Sequence, residues 1–167
     1  EDKIIRIQLW DTAGQEHFKS ITRAYYKNCV SAIIVYDITS RNSFNDITSW
    51  IEDCKNYSPK TVLMALIGNK CDLKENRKVS FEEGKEMAEK SNLMFFETSA
   101  KTGDNVDKIF EESAKEINKK IGEGYYDLDS DVCGIKRGLN NGLPGQQQVV
   151  LNNGPNNNSI FRNKCCS

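Results

Sequence analysis

Three short runs carry residue types that could do chemistry: "DTAGQE" from Asp11 to Glu16, "GNKCD" from Gly68 to Asp72, and "TSAK" from Thr98 to Lys101. A carboxylate at a strand tip, such as Asp11, can hold the water of a metal ion. Gly14 would let a backbone N–H approach a phosphate where any Cβ would intrude, and Gln15 could then orient a water. A strand ending in an ordinary polar turn explains D-x-x-G alone equally well. In the second run, Asp72 matches guanine, whose ring N–H and exocyclic amino group are adjacent donors that one carboxylate accepts together. Adenine lacks that pair and would leave the acid unsatisfied. Asn69 can tie neighbouring loops, and the aliphatic stem of Lys70 can cover the base face; an exposed polar turn is the competing explanation. In the third run, Ala100 leaves its N–H free for a base carbonyl and Ser99 can brace the loop, although Ser and Ala before a helix also serve simply as a cap. Order and placement join the three runs, since each stands at the end of a predicted strand.

Those strands are legible in the hydrophobic pattern. Ile5, Ile7 and Leu9 alternate with Arg6, Gln8 and Trp10, the period of a half-buried strand. By contrast "VSAIIVYDI", "TVLMALIGNK" and "LMFFETSA" are nearly continuous apolar runs, as expected of buried parallel strands. Helical patterns lie between them. Ile47, Trp50, Ile51 and Cys54 share one face, Ser80 and Glu83 form a capping box, and Val106, Ile109, Phe110, Ala114, Ile117 and Ile121 make a third stripe that Gly122 stops. Alternating strands and helices predict an α/β fold, an open parallel sheet with right-handed crossovers whose loops gather round a ligand at the strand carboxyl ends. Beyond Gly122 the chain turns rich in Asn, Gln and Gly with few aromatics, and a flexible tail is expected there.

Composition narrows the partners. With 23 Lys and Arg against 24 Asp and Glu, no strong field recruits nucleic acid. The six cysteines show no C-x-x-C pair or metal-ligand spacing and the one histidine is His17, so neither a zinc site nor a disulfide framework is expected. No apolar run approaches the roughly 18 residues of a membrane span, and a reducing cytosolic setting fits. Glu1 already opens on strand-forming residues, which suggests a chain lacking its natural beginning.

The runs "WDTAGQE", "ITRAYYK", "IVYDIT", "LIGNKCDL" and "ETSAKTGDNV" resemble the Ras superfamily of small GTPases and within it the Rab family, across residues 3 to about 122. The run "GEGYYDLDSDVCGIKRG" is most similar to Rab subfamily two, with subfamilies four and fourteen as near relatives. The resemblance implies a P-loop NTPase-like, mostly parallel sheet with helices on both faces. Residues 1–122 would be a partial G domain lacking the first strand, phosphate loop and first helix, and residues 123–167 a disordered tail with a prenylation signal.

The resemblance also implies GTP or GDP with Mg²⁺ as ligands. Asp11 would help hold the metal through water, Thr12, Ala13 and Gly14 would line the γ-phosphate, and Gln15 would position the attacking water. Asn69, Lys70, Asp72, Ser99, Ala100 and Lys101 would bind the base. Trp10 and Tyr25 match an aromatic cluster shown to effectors, for which plain core packing is the alternative. Lys27-Asn28 replaces the family's usual Arg-Gly, which bears on effector identity. Expected partners are a GTPase-activating protein, an exchange factor, an escort protein, a GDP-dissociation inhibitor and effectors, on the cytoplasmic face of endoplasmic reticulum, Golgi or endosome membranes. The ending "KCCS" matches the double-cysteine signal on which Cys165 and Cys166 carry two geranylgeranyl groups. The four basic residues among the last 32 are too dispersed to anchor the tail, so two lipids would be needed; a pair of free thiols is the alternative.

The phosphate loop G-x-x-x-x-G-K-[ST] and the threonine of the first switch are absent from these residues. A GTP-hydrolysing switch of membrane traffic and a nucleotide-independent interaction module derived from one therefore both remain open. In the family, the absent first strand lies between that of Ile5–Trp10 and that of Val30–Ile38, so residues 1–167 alone are expected to bind GTP weakly or not at all and to aggregate. Nanomolar affinity in a nucleotide titration of this polypeptide would refute that expectation.

Overall fold

The computed structural model describes residues 3–12, 19–128, 134–136 and 147–151. In chain order the elements are β1 (Lys3–Ile7), α1 (Lys19–Tyr26), β2 (Ser31–Asp37), α2 (Arg41–Asn45), α3 (Ile47–Tyr57), β3 (Leu63–Asn69), a short 3₁₀ turn at Lys74–Asn76, α4 (Phe81–Ser91), β4 (Met94–Glu97), α5 (Val106–Gly122) and β5 (Gln147–Leu151). Strands β2, β3 and β4 form a parallel sheet in that spatial order, with Val35 opposite Ile67 and Ile67 opposite Phe96.

The central strand shows how apolar alternation builds two layers. Met64 and Leu66 face a core with Tyr36, Ile38, Ile47, Ile51, Cys54 and Ala88, supplied by β2 and the residue after it, α3 and α4. Ala65 and Ile67 face the opposite way, toward Ile109 of α5 with Ile33, Met94 and Phe96 against them. Helices thus cover both faces, and a strand buried on both sides has to be a continuous apolar run. The expected buried strand at "VSAIIVYDI" is corrected in one respect: Tyr36 and Ile38 are buried, but Val35 is 55% exposed. β2 is an edge strand, so one of its faces is only partly covered.

Helix ends follow local chemistry. Ser80 Oγ accepts from the Glu83 N–H at 3.1 Å and Glu83 Oε2 accepts from the Ser80 N–H at 2.9 Å, so the expected capping box forms. Arg41 adds a bidentate pair to Glu83 at 2.7 and 3.1 Å. With Arg41 as the largest cause and the Ser80 amide next, the Glu83 carboxyl is held down to about 2. The α5 stripe is as expected, but its stop is corrected: Gly122 is the last helical residue, and Gly124, with φ of 71°, takes the left-handed turn.

Two expectations need adjustment at the chain's ends. The first strand was expected to run from Ile5 to Trp10 and instead spans Lys3–Ile7, outside the three-stranded sheet. Its partner is β5, antiparallel, with Lys3 opposite Leu151 and Ile7 opposite Gln147. The tail expected to be flexible throughout therefore contributes a strand at 147–151, where adjacent β-branched Val149 and Val150 favour extended backbone. Cys165 and Cys166 lie outside the described residues.

Packing across α4 depends on one glycine. A Cβ at Gly84 would stand 2.7 Å from the Phe95 ring and closer still to Tyr36 Oη. Gly84→Ala gains at most about 1 kcal/mol of helix propensity but overpacks a buried aromatic contact, a cost of about 1 to 3 kcal/mol. A lowered thermal midpoint by circular dichroism is the expected outcome, and an unchanged or raised midpoint would show that the two rings yield freely.

Candidate functional site

Parallel pairing decides which loops meet. Gly68 of β3 stands opposite Glu97 of β4, so the chain leaves both strands at the same edge and "GNKCD" emerges beside "TSAK". The backbone stitches them together: the Thr98 N–H donates to the Gly68 carbonyl at 2.9 Å and the Cys71 N–H to the Thr98 carbonyl at 2.9 Å. Gly68 is required for closeness rather than for a special φ, because a Cβ there would lie 2.8 Å from Tyr36 Oη and 3.1 Å from Ile38 Cγ2. Lys70 takes a left-handed φ of 68°, which turns the chain sharply between Asn69 and Asp72.

Side chains complete the join. Asn69 Oδ1 accepts from the Ala100 N–H at 3.1 Å and from Thr98 Oγ1 at 3.4 Å, so Asn69 ties the two loops. The expectation of a free Ala100 N–H is corrected accordingly, since that donor is engaged by Asn69. Ser99 is fully buried; its hydroxyl donates to Asp72 Oδ1 at 2.6 Å and accepts from the Thr102 N–H at 3.1 Å. Asp72 is thereby oriented by a residue of the other loop. Each carboxylate oxygen carries two lone pairs, so the Ser99 bond leaves acceptor capacity on both oxygens for a pair of adjacent donors. This acceptor edge fits the Watson–Crick face of a guanine. Lys101 is exposed beside it.

Sequence reasoning passed over the shell that fixes these loops. Arg77 grips Glu97 with bonds of 2.6 and 2.8 Å and also donates to the Val79 carbonyl at 3.0 Å, joining the segment after "GNKCD" to the residue before "TSAK". Asn105 Nδ2 donates to the Glu97 carbonyl at 2.9 Å from a left-handed backbone. Asp37, at the end of β2, binds Lys70 Nζ at 2.6 Å. A signal for Asp37 existed, an acid closing an otherwise apolar strand within "IVYDIT".

The first loop is not brought to this place by hydrogen-bonded pairing. Asp11 and Thr12 are exposed after β1, which pairs with β5 and not with β2 among the described residues. Ala13, Gly14, Gln15 and His17 lie outside the described residues. Among the described residues no three acids, histidines or cysteines cluster as a metal would need, so Asp11 offers Mg²⁺ a single carboxylate and these residues alone do not make its site. Trp10 and Tyr25 do meet: their ring centroids are 5.2 Å apart, and they are 62% and 41% exposed, so core packing does not account for them.

Residues 1–119 match the family model described as Ras family. The chain is also 60% identical over 120 residues to a Dictyostelium discoideum protein named Ras-related protein Rab-2B, a match covering 72% of this chain and 59% of that protein. The chain thus spans about 59% of the length of that protein. Among the described residues no helix is long and apolar enough to cross a membrane.

If the Asn69 amide is what joins the loops, Asn69→Ala frees the Ala100 N–H. Hydrogen exchange at residues 98–101 is expected to accelerate several-fold with a stability loss of about 1 kcal/mol, the typical worth of a hydrogen bond. Unchanged exchange there would show that the backbone stitches suffice.

Proposed function

Because the chain belongs to the Ras family, as a Rab-type small GTPase, we propose that it carries the base-reading half and the hydrolytic loop of a GTP/GDP switch regulating vesicle-mediated membrane transport. The observation that carries this reading is the Ser99–Asp72 bond, which aims a carboxylate of one loop from the buried hydroxyl of the other. A guanine base would donate its two adjacent hydrogens to Asp72. Asn69 and Ser99 would hold that acceptor in place, the Lys70 stem would cover one face of the ring, and Ala100 with Lys101 would lie at its edge.

Phosphate chemistry falls to the other end of the site. Gly14 would bring its N–H to the γ-phosphate, and Gln15 would orient the water that attacks it, with Thr12 and Ala13 lining the approach. Mg²⁺ would supply charge neutralisation on the phosphates; Asp11 would hold one of its waters, and its remaining ligands are not among the described residues. Hydrolysis is slow without a cation for the transition-state charge, and a GTPase-activating protein that inserts an arginine would accelerate it by roughly 10³ to 10⁵.

The switch would act through partners. Trp10 and Tyr25 form an exposed aromatic surface that effectors would read when GTP is bound. An exchange factor would open the site. Escort protein and GDP-dissociation inhibitor would handle two prenyl groups on Cys165 and Cys166, and the protein would cycle between cytosol and secretory-pathway membranes of endoplasmic reticulum, Golgi or endosome.

Base exchange tests the reading. In the full-length protein, Asp72→Asn exchanges an acceptor for a donor on one arm, which suits the C2 carbonyl of xanthine and not the amino group of guanine. GDP affinity is expected to fall by roughly a hundredfold or more while xanthosine diphosphate affinity rises. Retained guanine preference in a competition titration would defeat it.

A further inference from the structure

Lys70 would cover the purine only if its long, mobile side chain were held, and the structure shows what holds it. Asp37 Oδ2 accepts from Lys70 Nζ at 2.6 Å. The other oxygen, Oδ1, accepts from the Thr39 N–H at 2.8 Å and from Thr39 Oγ1 at 2.7 Å. The carboxylate is therefore fixed by its own turn, with one oxygen left to the lysine. Its backbone is fixed as well: Asp37 pairs with Asn69 in the β2–β3 register, and its N–H donates to Ser43 Oγ at 3.1 Å. Both ends of the contact are thus built into adjacent strand termini, with Lys70 already committed to a left-handed turn.

We propose that Asp37 is a positioning residue of the base site, whose carboxylate tethers the Lys70 ammonium so that the lysine stem lies across the face on which a guanine stacks. This rests on the guanine-nucleotide reading above. Asp37 is 22% exposed and Lys70 51%, and ion pairs this open add little to stability. The value of the contact is geometric: a tethered stem loses its rotamer freedom before the base arrives, so less is lost on binding. Burial alone would raise the Asp37 carboxyl, but hydrogen bonds from Lys70 and Thr39 outweigh it and leave the group below its ordinary value, ionised whenever nucleotide is handled.

A double-mutant cycle on nucleotide release from the full-length protein tests this. Asp37→Asn keeps an acceptor for Thr39 but removes the charge, and Lys70→Met keeps the stem but removes the ammonium. Each is expected to release fluorescent GDP about tenfold faster, the equivalent of one charge-assisted hydrogen bond. The double variant should release no more than about twice as fast as Lys70→Met, because both changes remove one interaction. Wild-type release from Asp37→Asn, or rate effects that multiply, would overturn the proposal, since a purely structural aspartate would act independently of Lys70. Should Asp37→Asn not fold, Thr39→Val serves: it loosens the carboxylate and is expected to speed release about threefold, and unaltered release would overturn the proposal equally. Failure of the wild-type protein to bind GDP would defeat the proposed function and this inference together. Tight wild-type binding with unaltered variants would defeat the inference alone.

Discussion

Everything at the candidate site depends on the pairing of β3 with β4. Parallel strands emit their following loops at the same edge, so the register that sets Gly68 against Glu97 also sets two polar loops side by side. Once adjacent, they satisfy one another. Asn69 accepts from Ala100, Ser99 donates to Asp72, and the backbone amides of Cys71 and Thr98 cross between the strands. A buried or half-buried polar group left unpaired is costly, and here much of the pairing crosses from one loop to the other. Specific orientation of Asp72 follows from that mutual satisfaction, because the hydroxyl that aims it belongs to a fully buried residue.

The pairing has its own support in the layer beneath. Tyr36 is buried on β2 and its ring fills the space that Cβ atoms on Gly68 and Gly84 would occupy, with Phe44 edge-on at 5.0 Å. Its hydroxyl finds no hydrogen-bond partner among the described residues, and burial pushes its pKa up to about 12. Leaving that hydroxyl orphaned is a cost that the close approach of β3 and α4 offsets through packing. The Arg77–Glu97 fork clamps the chain after "GNKCD" to the strand before "TSAK". The site is therefore gripped by both shape and charge.

How much of this could be read without coordinates follows from the range of the forces involved. Elements governed by local chemistry were legible: the Ser80–Glu83 box needs only a three-residue spacing, and the α5 stripe needs only a helical period. Asn69, Ser99 and Asp72 were legible as a set because their motifs close apolar runs. What escaped detection depends on distance in the chain. Asp37 and Lys70 are 33 positions apart, Arg77 and Glu97 20 apart, and no spacing rule announces such pairs. The engaged state of the Ala100 N–H was misread for the same reason, its acceptor being 31 residues away. At β5, the preference of two valines for extended backbone acts within a polar tract and was outweighed by overall composition.

The residues of the proposed function divide between two sheets. The proposed base site belongs to the β2–β3–β4 sheet, where strands, hydrogen bonds and ion pairs hold the loops in one arrangement. Asp11 and Thr12, which open the proposed hydrolytic run, instead follow β1, a strand in the other sheet. In sequence, residues 13–18 lie between Trp10 and Tyr25, whose rings meet at 5.2 Å and stand exposed. α1, which bears Tyr25, is held from behind by Arg23, bonded to Asp53 at 3.3 Å and stacked 4.4 Å over the Tyr57 ring of α3. One ring is thus anchored to the helical layer and the other to the end of β1. The exposed aromatic pair is thus carried by elements different from those that set Asn69, Ser99 and Asp72 together.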